Sequence, residues 1–91
     1  MSKNDQLFLQ LLYIFHTSAM QSMGKIKNPI TDKIERNMEQ AKQSIDMLEM
    51  LKEKTKNNLS EEPAKMLDGF LTELRLNYID EMNKDKNTVT S

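Results

Sequence analysis

The chain has no cysteine, which excludes a disulfide framework, a thiolate zinc site, an iron–sulfur cluster and a cysteine nucleophile. It also lacks tryptophan and has only two tyrosines and three phenylalanines, a poor supply of rings for stacking nucleic-acid bases. Two glycines and two prolines in 91 residues leave too little punctuation for the many tight turns of a sandwich or barrel. An excess of one charge is missing as well. Eleven Lys and two Arg face six Asp and eight Glu, a net of -1, so no global field draws the protein to nucleic acid or an anionic membrane. The apolar run 7–15 is interrupted by Gln10 and has Asp5 beside it and only Lys3 ahead of it. It falls far short of the roughly 18–20 residues of a membrane span, and its flanks do not suit a cleaved signal.

What is present favours helix: Leu, Met, Lys, Glu and Gln are plentiful, and all are good helix formers. The spacing predicts an all-α fold, an elongated three-helix bundle in one domain over 1–82, followed by a disordered tail over 83–91. The first helix spans about 5–23, capped by Asn4 or Asp5 and stopped by Gly24 at a left-handed position. Asn28-Pro29 keeps the following connection extended. The second helix is expected over 32–56, with Asp32 and Glu35 as a capping box, Ile34, Met38, Ala41, Ile45 and Leu48 facing inward, and Asn57 and Asn58 as the stop. Its length makes the molecule elongated. The third helix spans 61–82, with Ser60 as cap, Pro63 in the first turn and Leu67, Phe70, Leu71, Leu74 and Tyr78 on one face.

Helix one carries the most information about partners. Projection at 100° per residue puts Phe8, Leu12, Phe15, Ala19 and Met23 on one face, and Leu7, Leu11 and Ile14, with Ser18 in line, on a second. Gln6, Gln10, Thr17 and Gln21 form an uncharged stripe beside the second face. Either the other two helices cover so apolar a cylinder or a second copy does. A second heptad-like line runs through Gly69, Thr72, Leu76 and Ile79 of helix three. A mid-helix Gly costs roughly 1 kcal/mol relative to Ala, which a closely approaching backbone would offset. The candidate interface is therefore Leu7, Gln10, Leu11, Ile14, Ser18, Gln21, Gly69, Leu76 and Ile79, in a homodimer built mainly on helix one.

No catalytic, metal-binding or cofactor-binding residue is expected. His16, the single histidine, has no carboxylate or nucleophile near it in sequence and fits a core or interface role. Bundle metal sites use a Glu-x-x-His pair, and Tyr13 stands at the Glu position. The acidic residues of helix two interleave with lysines as on a solvated face. Charge is uneven along the chain: residues 25–58 hold eight basic and six acidic groups, a net of +2, and residues 59–82 two and six, a net of -4. Such asymmetry steers a helix or partner contact. Lys25, Lys27 and Lys33 are the candidate RNA contacts of a competing reading, a weak RNA- or ribosome-associated factor.

The residues also resemble a family of small bacterial proteins catalogued as domain of unknown function 1844. The likeness rests on residues 7–15, Ser18-Ala19-Met20, Gly24-Lys25, Asn28-Pro29, the runs 37–42 and 45–51, residues 54–59, and Leu74-Arg75 with Tyr78. It covers about residues 6–80, and departs from the family pattern at Asn57 and Pro63, both at helix ends. The resemblance implies a helical, cytoplasmic bacterial protein and brings no activity, cofactor or catalytic residue. The expectation is a non-enzymatic protein–protein interaction module, an adaptor or assembly factor with itself and an unidentified protein as partners and no membrane contact.

Overall fold

The computed structural model describes the backbone of residues 1–90 and the side chains of residues 1–86. Three helices fold up, down and up: α1 (Lys3–Ser22), α2 (Met38–Lys54) and α3 (Glu61–Thr90). Each packs on both others. The core is Leu12, Ala19 and Met23 from the first helix and its end, Ala41, Ile45 and Leu48 from α2, and Leu67, Leu71 and Leu74 from α3. The six positions of α2 and α3 were expected to face inward from their spacing, and Leu12, Ala19 and Met23 fall on one of the two apolar faces of α1. Each large side chain fully withdrawn from water there contributes about 1.5–3 kcal/mol.

The helix ends follow local chemistry, with some corrections. Ser2, ahead of the expected caps, starts α1 by accepting a hydrogen bond from the Asp5 amide at 3.1 Å. Asp5 instead accepts from the Ser60 hydroxyl at 2.8 Å, which ties the start of α1 to the start of α3, where Ser60 stands at the N-cap position with its carbonyl accepting from the Ala64 amide at 3.2 Å. Gly24 ends α1 as expected, at φ 79°. Its amide donates to the Gln21 carbonyl and the Lys25 amide to that of Met20, the paired bonds of a Schellman motif. Asn57, at φ 69°, supplies the left-handed residue after α2.

The largest departure is the start of α2. It opens at Met38 with Asn37 as cap, the Asn37 side chain accepting from the Gln40 amide at 3.1 Å. Residues 23–37 form a hairpin held by antiparallel bridges between Met23 and Arg36 and between Asn28 and Lys33. Asp32 is its turn residue, at φ 57°, and so cannot cap a helix. Glu35 accepts from the Asn28 side chain and the Thr31 hydroxyl, closing the turn instead of a capping box. Ile34, expected in the seam of helix two, is 55% exposed. At 17 residues, α2 is only about 25 Å long. The elongation comes from α3, whose 30 residues span about 45 Å. The molecule measures 50 × 27 × 16 Å with a radius of gyration of 14.6 Å, against about 12 Å for a compact globule of this length.

The third helix continues beyond Met82, where it was expected to stop. Residues 83–86, expected in the tail, are helical because Lys84 pairs with Glu81 and Asp85 with Arg36. The side chains of residues 87–90 and all of residue 91, also assigned to the tail, lie outside the described residues.

Candidate interaction surface

Between Asp5 and Lys25 there is no Asp, Glu, Lys or Arg, in a chain of which 30% is charged. A helix that long without charge has no reason to face water on all sides. Its deepest face packs on α2 and α3 through Leu12 and Ala19. The Ser18 hydroxyl accepts from that of Ser44 at 3.3 Å, fixing the antiparallel register of α1 and α2. From that contact, Met47 is about level with Phe15 and Ile14, and Met50 with Leu11.

The flank that α2 turns to this side is uncharged too, carrying Gln40, Gln43, Ser44, Met47 and Met50. Phe15 and Ser18 line a shallow groove with Gln40, Gln43, Ser44 and Met47. Two helices thus present one charge-free face with apolar side chains left in solvent: Ile14 at 62% exposure, Leu7 at 50%, Met47 at 47% and Met50 at 43%. Leu11 is half-buried in the middle. Gln10 and Gln21 edge the face on α1. The α1 members of the expected interface are brought together here, joined by Met47 and Met50. Spacing alone already puts Met47 and Met50 outside the inner line of helix two, as candidate partner contacts; that their uncharged flank adjoins that of α1 is visible only once the register of α1 on α2 is known.

Gly69, Leu76 and Ile79 do not join them. They lie about 120–160° around α3 from Leu74 and Glu81, all three exposed, away from α1; Ile79 borders a groove shared with Lys42, Ile45, Asp46 and Glu49 of α2. A Cβ at Gly69 would meet no atom within 4 Å, so within the protomer no backbone approaches it.

His16 finds the carboxylate that its sequence neighbours lack. Glu73, 57 positions away, is 3.0 Å from His16 Nε2. The imidazole lies against Phe70 with centroids 4.4 Å apart, and Tyr13 meets the same ring edge-on at 5.2 Å. This is the side of α1 that faces α3. The contact orients α3 on α1. Among the described residues, no group of three or more His, Cys, Asp and Glu could hold a metal ion.

The hairpin is fastened by an ionic cluster. Glu81, 7% exposed, receives Lys25 at 2.9 Å, Arg36 at 3.2 Å and Lys84 at 2.9 Å. Lys25 also reaches Asp80 at 3.1 Å and Arg36 reaches Asp85 at 2.9 Å. Lys84 and then Lys25, with Arg36, outweigh desolvation and hold the Glu81 carboxyl down at about 2. Glu81 and Asp80 hold the Lys25 ammonium above its ordinary range, and Asp85 does so for Arg36. The basic and acidic segments read from the sequence therefore meet within one chain. Of the three candidate RNA contacts, Lys25 is committed to Asp80 and Glu81, while Lys27 and Lys33 stand exposed on the hairpin.

Beside the hairpin, Ser18, Gln21, Asn28, Glu35, Arg36 and Gln40 help line a polar cleft of about 270 Å³. It offers hydrogen bonds, with no nucleophile–base pair among these side chains. Among the described residues, no helix is long and apolar enough to cross a membrane. A family model described as Domain of unknown function (DUF1844) matches residues 6–80. No curated protein and no solved structure matches the chain.

Proposed function

For a chain that belongs to the family described as Domain of unknown function (DUF1844), we propose a non-enzymatic interaction module, an adaptor or assembly factor that works as a homo-oligomer in the cytoplasm. The carrying observation is the uncharged face of α1 and α2, on which Leu7, Ile14, Met47 and Met50 remain in solvent. Scattered apolar side chains on a surface need no explanation, but a charge-free band across two helices does. Uncharged Gln and Ser at its edge hydrogen-bond across a contact without the cost of burying ions.

Two substitutions test the reading. Ile14→Glu and Leu11→Glu place a carboxylate on the band and are expected to halve the mass measured by light scattering on a sizing column while the helical circular dichroism is kept. A wild-type monomer at micromolar concentration refutes self-association. The same column tests the RNA reading, which retains the exposed Lys27 and Lys33. With two tyrosines and no tryptophan, bound nucleic acid would be conspicuous in the 260/280 nm ratio. A protein-like ratio after gentle purification is expected, and a raised ratio abolished by ribonuclease would put RNA first.

A further inference from the structure

We infer that the uncharged face is covered by a second copy of this chain laid antiparallel, with the twofold axis crossing the face at the level of Met47. The inference rests on the self-association proposed above and specifies its geometry. A twofold axis lying in the face has two orientations available. Run along the helices, it sets each end of the face against the same end of the partner. Run across them, it reverses the partner, so that α1 lies on α1 and α2 on α2 with opposite ends in contact.

Charge at the two ends of the face decides between them. Lys3 and Lys54 stand where α1 begins and α2 ends, and Glu35 and Glu39 where α1 ends and α2 begins. Among the described residues none of these four is in an ion pair; Glu35 is bonded only by the neutral Asn28 and Thr31 side chains. An axis along the helices presses Lys3 toward the partner's Lys54 and Glu35 toward the partner's Glu39, at an end that also carries the exposed Lys27 and Lys33 of the hairpin. An axis across them brings Lys54 to the partner's Glu39 and the Lys3 end to the partner's Glu35. Like charges repel and unlike charges fix register.

The same operation satisfies the rest of the face. Pairing Lys54 with the partner's Glu39 puts the axis midway between positions 39 and 54 of α2, beside Met47. The Ser18–Ser44 contact makes this level with residues 15 and 16 of α1. Gln10 then stands level with the partner's Gln21, two amides that each carry donors and an acceptor, and Ile14 packs next to the axis. Two helices about 10 Å apart and about 30 Å long make a face of about 600 Å² per copy in plan. That matches the roughly 1,200 Å² in total at which specific interfaces begin.

Cross-linking tests the orientation, and the lack of native cysteine makes it clean. The variants are Glu39→Cys, Lys54→Cys and the two together, each treated with a short bifunctional maleimide alongside sedimentation of the untreated protein. The two positions lie about 22 Å apart along one helix, too far to be bridged within a protomer. The double variant is expected to give a covalent dimer and neither single variant one. Lys54→Cys alone cross-linking to itself, or a sedimenting dimer that no variant traps, overturns the antiparallel arrangement and leaves self-association standing. A monomer in sedimentation overturns both. As a second readout, Lys54→Glu or Glu39→Lys alone should weaken the dimer at least tenfold, and the double charge reversal should restore it. Failure of the double reversal to restore it overturns the pairing.

Discussion

Replacing Glu81 by Gln removes one charge from a carboxylate that three cations share and changes almost nothing in shape. In the folded protein Lys84, Lys25 and Arg36 hold the carboxyl at about 2, from an ordinary 4.5. At about 1.4 kcal/mol per pH unit, that difference corresponds to about 3 kcal/mol of stability at neutral pH. Lys84 is largely exposed and Arg36 partly so, and water screens them, which brings the expected loss to about 2 kcal/mol. With a urea slope of about 1 kcal/mol/M, the midpoint should fall by about 2 M. The sign with pH is fixed by the depressed folded value. The Glu81 contribution is complete above about 4.5, declines as pH falls, and is gone below about 2. Wild type and Glu81→Gln should therefore converge in acid. Urea titrations of both proteins between pH 7 and 2 provide the assay. A loss under about 0.5 kcal/mol at pH 7, or a difference unchanged down to pH 2, would show that the cluster does not hold the hairpin on α3.

Two further substitutions separate local from intermolecular roles. Gly69→Ala meets no neighbour within 4 Å and should stabilise the protein by up to about 1 kcal/mol through helix propensity, read as a higher Tm with the dimer mass unchanged; loss of the dimer would place the back of α3 in the interface. Asn37→Ala deletes the side-chain bond to the Gln40 amide and should cost about 1 kcal/mol, measurable by urea titration, whereas Asp32→Ala should not cost a helix cap.

The corrections to the expected helix two and to the search around His16 share a cause. Asp32 and Glu35 have the spacing of a capping box, but Asn37 and Gln40 make the actual cap, and both pairs are visible to local spacing alone. The choice between them is made 45 positions away, where Glu81 captures Arg36 and holds residues 23–37 as a hairpin. A similar distance separates His16 from Glu73, which no spacing on α1 could have supplied. Elongation was expected from an overlong helix two and arises from an overlong α3, whose last described turn is kept by Lys84 and Asp85 meeting charges in the cluster.

The sequence by itself determined the inner faces of α2 from Ala41 onward and of α3, since apolar spacing of three and four residues there can be buried on only one side, and left α1 with two apolar faces. It determined the stops at Gly24 and Asn57 as well, because few residues accept a left-handed backbone at little cost. Tertiary structure decided where α2 begins, what Lys25 pairs with, and that the uncharged flank of α1 adjoins the uncharged flank of α2. Those depend on which residues far apart in the chain are held within a few ångströms, a relation that register and packing create and that no local pattern contains.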